Sequence, residues 1–225
     1  GVDEPDIVKN DGKYIYSISG ENIVISEAYP PTALREISRI EFGEKPLSIF
    51  INKDKLIVFL EGYTSVPAVG LERARCFAEG YSCGGDSIHQ TYVFVYSIID
   101  RANPSLVYNF SFDGTFTNAR MIGDYVYIVS AKYVSLADDD YILPRYIFNG
   151  VEKTIAPSEV SYIDDTDSSF TFSFINALSV SDGSLTSKVY LIGSTSTMYV
   201  SKDNLYLTYS QHTSYKKLQD QAQER

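Results

Sequence analysis

The sequence is poor in the residues from which most metal centres and nucleophile sites are built. Its 225 residues include two histidines, two cysteines, two methionines and no tryptophan. A structural zinc site needs four closely spaced nitrogen or sulfur ligands, and the two cysteines lack the spacing of such a site. A Ser-His-Asp or Cys-His arrangement would have to use His89 or His212, and neither lies in a recognisable catalytic motif. We therefore expect no catalytic residues and no enzymatic activity.

Positive charge and long apolar runs are also scarce. Lys and Arg number 19 against 29 Asp and Glu, so the formal net charge is −10. Binding to nucleic-acid phosphates needs clustered Lys and Arg, and this balance therefore excludes nucleic acid from the expected partners. No apolar run approaches the ~20 residues of a membrane-spanning helix, so no membrane span is expected. The polar opening GVDEPD is not that of a signal peptide.

The two cysteines lie close together in the stretch CFAEGYSC, as Cys76 and Cys83. In an oxidising compartment a disulfide between them would close a short loop and stabilise the fold by about 2.5 kcal/mol. In a reducing cytosol the same residues would be two free thiols. We predict the disulfide, and with it an extracellular or cell-surface location.

The residues that are abundant favour strands, since the sequence contains 19 Tyr and 12 Phe together with frequent Val, Ile and Thr. A strand-turn-strand pattern, with alternating apolar residues on both sides of a short polar turn, occurs four times. Aligned at Lys13, Lys55, Asp124 and Asn204, the turns are 42, 69 and 80 residues apart. The four units are Ile7–Ile18, Ile49–Leu60, Met121–Ser130 and Met198–Tyr209.

The first spacing matches the period of a four-stranded propeller blade, about 40–45 residues. Insertions at 61–90 and 132–169 account for the two longer spacings. We therefore predict an all-β fold of the β-propeller type, with about three and a half four-stranded blades. A β-sandwich is the structural alternative, but the fourfold hairpin repeat favours the propeller. The predicted propeller portion is 1–210, with blades at 5–42, 46–112, 116–192 and 196–210, followed by a polar tail at 211–225 that is helical or frayed.

Half a blade leaves the edge of a sheet open, and natural proteins usually cover such edges. We therefore expect the chain to be the N-terminal portion of a larger propeller. Self-association through the open edge is the alternative, since two copies could pair their unfilled strands.

Several stretches resemble the β-propeller domain of secreted archaeal and bacterial proteins, a family distantly related to WD-repeat propellers. They are VDEPDIVKNDGKYIYSISG at 2–20, GDYVYIVSA at 123–131 and STMYVSKDNLYLTY at 196–209, and the stretch at 143–163 is similar to the long blade insertion of that family. The resemblance spans nearly the whole chain and implies an exported, cell-surface propeller. It also implies a longer protein, because members of the family continue after the last of these strands. It brings no catalytic residues.

Acidic residues cluster at places where their oxygens could bind Ca²⁺, which takes six to eight oxygen ligands. None of the clusters has the spacing of an EF-hand loop. A solvated acidic loop is the simpler interpretation, so no cofactor is expected and Ca²⁺ is the one alternative. The candidate ligands are Asp164, Asp165 and Asp167 in the second insertion, and Asp3, Glu4 and Asp6 at the start of the chain.

The tyrosines divide into two groups by their place in the pattern. Those in the strands are expected to pack between blades, where an apolar ring and a polar hydroxyl both find partners. Those in the insertions could instead form a stacking surface for a sugar or a peptide. The candidate contact residues are Tyr63, Tyr81, Tyr141 and Tyr146.

These features together predict an exported binding or interaction module at the cell surface, with a protein or a carbohydrate as its partner. Loops on a rigid scaffold usually carry function, so we expect the two insertions to carry recognition. The alternative is a propeller hydrolase or lyase whose site is completed by missing residues or by a second subunit. A purely structural surface protein is a third possibility.

Overall fold

The computed structural model describes residues 1–66, 86–134, 143–163, 170–201 and 203–210. These residues form strands β1 to β18, arranged in four sheets. Helical structure within these ranges is limited to two short 3₁₀ turns, Pro31–Ala33 and Pro157–Glu159. Across the same ranges, no helix is both long enough and apolar enough to cross a bilayer. The predicted tail at 211–225 lies outside the described residues.

The first sheet is an antiparallel meander, which we call blade 1. Its first turn is built on Asp11, whose carboxylate accepts hydrogen bonds from the backbone N–H of Lys13 at 3.1 Å and of Tyr14 at 2.8 Å. Gly12, between Asp11 and Lys13, has φ of +95°, a backbone conformation that residues with a side chain disfavour. In spatial order its strands are β2 Val8–Asn10, β3 Tyr14–Ser19, β4 Asn22–Glu27 and β5 Arg35–Glu41.

Blade 2 follows with the same order of strands and a longer central hairpin. The sequence pattern placed the ends of this hairpin near Leu60 and Thr91, but the ladder continues for several residues into the first insertion. Residues 61–66 include Tyr, Thr and Val, which favour extended backbone, so the pairing persists beyond the buried part of the blade. The strands are β6 Ser48–Asn52, β7 Lys55–Val66, β8 Asp86–Ser97 and β9 Ser105–Asp113.

Blade 3 and a two-stranded half blade follow blade 2 along the chain. Blade 3 consists of β10 Thr115–Ile122, β11 Tyr125–Val134, β15 Phe170–Ser179 and β16 Leu185–Ile192. The half blade consists of β17 Ser194–Val200 and β18 Leu205–Ser210.

Four further short strands extend these sheets. Three of them lie in the second insertion, where the sequence pattern predicts loop. The hairpin of β12 and β13 adds to the outer strand of blade 2, and β14 adds to the outer strand of blade 3. The fourth, β1, pairs with β10 at the inner edge of blade 3. Their bounds are β1 Val2–Asp3, β12 Arg145–Phe148, β13 Val151–Thr154 and β14 Val160–Tyr162.

The blades pack against one another in chain order. Strand β7 shows this most clearly, because both of its faces are buried: Leu56, Val58 and Leu60 pack with blade 1, whereas Ile57 and Phe59 pack with blade 3. Fully burying each such side chain contributes about 1.5–3 kcal/mol. A third apolar cluster joins blade 3 to the half blade. The predicted all-β, propeller-type fold is confirmed.

The alternating strand direction divides the connections between two sides of the molecule. On the turn side lie the connections from the first to the second strand and from the third to the fourth strand of each blade. On the insertion side lie the connections from the second to the third strand and from one blade to the next. On the turn side the same backbone hydrogen bond recurs in three blades, namely Ala28 N–H to Lys13 O at 2.9 Å, Ile98 N–H to Asp54 O at 2.8 Å and Val180 N–H to Asp124 O at 2.9 Å.

Candidate binding surface on the insertion side

Both long insertions leave the blades on the insertion side. The first joins β7 to β8 and the second joins β11 to β15. On the turn side of the same two blades, the strands β6–β7 and β10–β11 are joined by only two residues each. The chain therefore adds most of its extra length on one side of blades 2 and 3.

An exposed aromatic pair stands at the base of the first insertion. Tyr63 and His89 lie directly opposite each other on β7 and β8, with their ring centroids 4.1 Å apart and the ring planes tilted by 51°. The Tyr63 side chain is 68% exposed although its backbone belongs to a continuous ladder. Two rings are thus presented to solvent from paired strands.

Sequence reasoning found one half of this pair. Tyr63 was a candidate contact residue, whereas His89 was considered only as a catalytic residue. Pairing the two requires the register of the hairpin, in which Tyr63 is opposite His89. The alternation of residues within either strand alone does not give that register.

A buried ionic cluster lies on the insertion side, where β9 ends. Asp113 has no exposed surface, and its carboxylate accepts hydrogen bonds from Lys132 Nζ at 3.1 Å, Arg145 Nε at 3.4 Å and Gln90 Nε2 at 3.2 Å. Lys132 comes from blade 3, Arg145 from β12 of the insertion, and Gln90 from blade 2. One carboxylate therefore connects two blades and the inserted hairpin.

The charges of this cluster are unequal. Burial lowers the pKa of Lys132, and the neighbouring Asp113 opposes that shift only in part. Arg145 also pairs with Glu152 at 3.1 Å, yet its Nη2 atom is buried and has no hydrogen-bond partner among the described residues. The cluster therefore holds two cations around a single fully buried carboxylate.

Neighbouring hydrogen bonds hold the start of blade 3 against blade 2. The Glu61 carboxylate accepts a bond from the backbone N–H of Phe116 at 2.6 Å, and the Thr91 hydroxyl donates to Gly114 O at 3.0 Å. Gly114 has φ of +102°, and a Cβ atom at this position would lie 2.6 Å from the carbonyl of Ala131. The backbones of Gly114 and Ala131 are therefore in close contact beneath the insertions.

The remaining predicted contact residues are placed differently. Tyr146 lies on β12, where its ring packs 6.5 Å from Phe112 and beneath the Lys153 ammonium at 5.9 Å. It is therefore part of the packing between blade 2 and the inserted hairpin. Seven other predicted site residues lie outside the described residues: the contact candidates Tyr81 and Tyr141, the cysteines Cys76 and Cys83, and the metal candidates Asp164, Asp165 and Asp167. The disulfide and the calcium site therefore stay predictions.

The acidic opening of the chain is tied to cations. Asp3 pairs with Lys9 at 2.8 Å, and Glu4 pairs with Arg120 at 3.1 Å. Asp6 instead forms a backbone bridge to Ile49 at the inner edge of blade 2. These carboxylates do not converge on one point. Over the residues that the structure describes, no group of three His, Cys, Asp or Glu side chains is arranged to hold a metal ion.

Comparison with known proteins places the chain in a family. A family model described as beta propeller domain matches residues 1–224. A protein of Archaeoglobus fulgidus described as uncharacterized is 25% identical over 228 residues, which cover 97% of this chain and 32% of that protein. The chain thus spans about a third of the length of this relative. No solved structure matches. The chain belongs to the beta propeller domain family.

Proposed function

We propose that this domain is an exported binding module whose contact surface is the insertion side of blades 2 and 3, centred on Tyr63 and His89. The observation that carries the proposal is the exposed ring pair on the paired strands β7 and β8, beside two long insertions. Aromatic rings offer large contact area at small cost in conformational entropy, and two exposed neighbours offer more than either ring alone. The flat apolar face of a sugar ring or a peptide side chain fits such a surface.

The ionic cluster supports this proposal by fixing the base of the surface. Buried charge-assisted hydrogen bonds from three chain segments restrict how the insertion can move relative to blade 2. A preformed surface loses less entropy on binding than a loop that must be ordered first. Asp113 is therefore assigned a positioning role beneath the surface.

Export and cell-surface location belong to the same proposal. They are supported by the predicted disulfide and by the resemblance to secreted propellers. A protein or a carbohydrate is proposed as the partner on the same grounds. The partner is a proposal because the chain corresponds to only about a third of its relative.

The test compares two exposed tyrosines on opposite sides of the blades. The wild-type domain, Tyr63→Ala and Tyr125→Ala would be screened against a panel of immobilised glycans and peptides. Tyr125 is 48% exposed at the start of β11 on the turn side, so it controls for the general loss of an aromatic ring. We expect Tyr63→Ala to weaken binding about tenfold or more, as hot-spot aromatics do, and Tyr125→Ala to leave it unchanged. Equal binding by all three proteins would contradict the proposal.

A hydrolase or lyase is the alternative, and it would have to draw on the Asp113 cluster. There a carboxylate, an ammonium group with a lowered pKa and a guanidinium group meet. However, Asp113 has no exposed surface and its contacts are internal, so a substrate could reach it only after the cluster opens. We therefore favour the binding role.

A further inference from the structure

The outer edges of the three blades are finished in different ways. The outer strand of blade 2, β9, pairs with β12, and the outer strand of blade 3, β16, pairs with β14. Both added strands come from the second insertion. Among the described strands, the outer strand of blade 1, β5, pairs only with β4. Within the part of the chain that the structure describes, covering strands are thus supplied for two equivalent edges and none for the third.

Strand β5 is also the longest of the terminal outer strands. It has seven residues, whereas β13 and β14, which end the sheets of blades 2 and 3, have four and three. Very short edge strands are a common way to prevent unwanted pairing, and β5 lacks this protection. Its outer backbone groups could therefore accept another strand.

The charges on β5 restrict which strand could pair with it. Arg35, Glu36, Arg39 and Glu41 are all exposed. Arg39 pairs with Glu36 at 2.9 Å, and Arg35 pairs with Glu27 of the neighbouring strand at 3.1 Å. An apolar strand would take these charges out of water without offering them a further partner, which is costly. Opposite charges placed directly across two strands are favourable instead, and like charges are unfavourable. The edge therefore suits a strand with a complementary charge pattern.

A groove of about 560 Å³ opens beside the beginning of β5, on the turn side between blades 1 and 2. A bulge at Ile37 interrupts the pairing of β4 with β5, and Ile37 contributes to the groove together with Ile99. Bulges commonly redirect a side chain or end a pairing. The groove is also lined by three cations and three carboxylates, namely Lys13, Arg35, Arg101, Glu27, Glu36 and Asp100.

The charged groups of the groove are held in position by one another. Glu27, only 14% exposed, pairs with both Lys13 and Arg35 at 3.1 Å. Hydrogen bonds from these two side chains lower the pKa of Glu27. The Tyr14 ring lies between two cations, 5.0 Å from Lys13 Nζ and 5.5 Å from Arg101 Cζ. The groove therefore presents both signs of charge around an aromatic ring.

We propose that the outer edge of β5 and this groove bind an extended peptide carrying both positive and negative side chains, which adds to blade 1 as a further strand. Main-chain hydrogen bonds to β5 supply affinity in this mode of recognition, and the charged side chains supply specificity. Blades 2 and 3 accept strands in the same place, one antiparallel and one parallel. The site lies on the side of the molecule opposite the Tyr63 surface and is independent of it.

The test uses two seven-residue peptides of equal composition. Lys-Val-Glu-Thr-Val-Lys-Glu places opposite charges across from Glu41, Arg39, Glu36 and Arg35 in an antiparallel pairing. Glu-Val-Lys-Thr-Val-Glu-Lys places like charges there. Binding would be measured by fluorescence anisotropy at low salt, with the full 225-residue chain. The complementary peptide should bind about tenfold tighter or more, since all four cross-strand pairs change sign between the two peptides.

Two variants separate strand addition from general charge attraction. Arg39→Glu reverses one exposed charge of β5 and should reduce the preference for the complementary peptide. Lys153→Glu makes the same change on the short edge strand β13 and should leave both peptides unaffected. Amide hydrogen exchange should slow within β5 when the complementary peptide binds. Equal affinity for both peptides, no binding of either below about 1 mM, or unchanged exchange in β5 would overturn the proposal.

Discussion

Replacing Asp113 by Asn should lower the free energy of unfolding by about 3–5 kcal/mol. Asp113 is fully buried, and the Lys132 and Arg145 side chains around it are only 13% and 17% exposed. The amide has nearly the same shape as the carboxylate but no charge, so both cations would remain buried beside a neutral group. A buried charge that loses its partner has also lost its water, and this makes the loss larger than the net contribution of the intact pair.

The loss would be measured by urea unfolding followed by circular dichroism, with a constant slope as the check on two-state behaviour. Asp124→Asn is the matched control. It removes an ion pair with Lys53 whose side chains are 73% and 38% exposed, and it should cost less than about 1 kcal/mol.

A second variant tests the physical reason directly. Lys132→Met, added to Asp113→Asn, removes one of the two cations left beside the neutral amide and should recover part of the lost stability. If Asp113→Asn costs no more than the control, or if the double variant is less stable than the two single losses predict, the reasoning about buried charge is wrong.

Two further predictions concern single residues. Gly114→Ala should lower the free energy of unfolding by at least about 3 kcal/mol in the same urea assay, because the added Cβ would meet the Ala131 backbone. Gly123→Ala should cost about 1–2 kcal/mol, from backbone strain alone. Similar losses in the two variants would contradict the close contact at Gly114. Burial raises the pKa of the Tyr16 hydroxyl from 10.0 to about 12, with smaller and opposing effects of Arg101 and Asp11. The stability that Tyr16 contributes is therefore present below about pH 10 and is lost as the pH rises towards 12. An absorbance titration should show one tyrosine that ionises near pH 12, and this ionisation should be missing in Tyr16→Phe.

The hairpins of the blades could be predicted because their signals are local. In Tyr125–Val134 the alternation of apolar residues follows directly on the two-residue turn at Gly123, and both lie within a dozen residues. The insertion bounds could be predicted only approximately, because β-forming residues continue past the point where burial ends. At β7 the ladder therefore reaches Val66 and not Leu60.

The contacts between distant segments could not be predicted in this way. Asp113-Gly114 has the sequence of a turn, and Gly114 does adopt a positive φ, yet Asp113 is fully buried. Its burial depends on Lys132 and Arg145, which lie 19 and 32 residues further along the chain. Nothing in the local sequence of any of the three indicates that they meet.

Part of the second insertion has a structural role that its length does not reveal. Recognition by 132–169 stays a prediction, but within this insertion β12 and β14 cover the outer edges of two different blades. Covering an edge removes a row of unpaired backbone groups that would otherwise attract other chains. Arg145, on one of these strands, also reaches the buried Asp113. Those residues stabilise the scaffold, whereas Tyr63 remains exposed beside them. A length of insertion in the sequence therefore does not distinguish the residues that hold the blades from the side chains that are free to contact a partner.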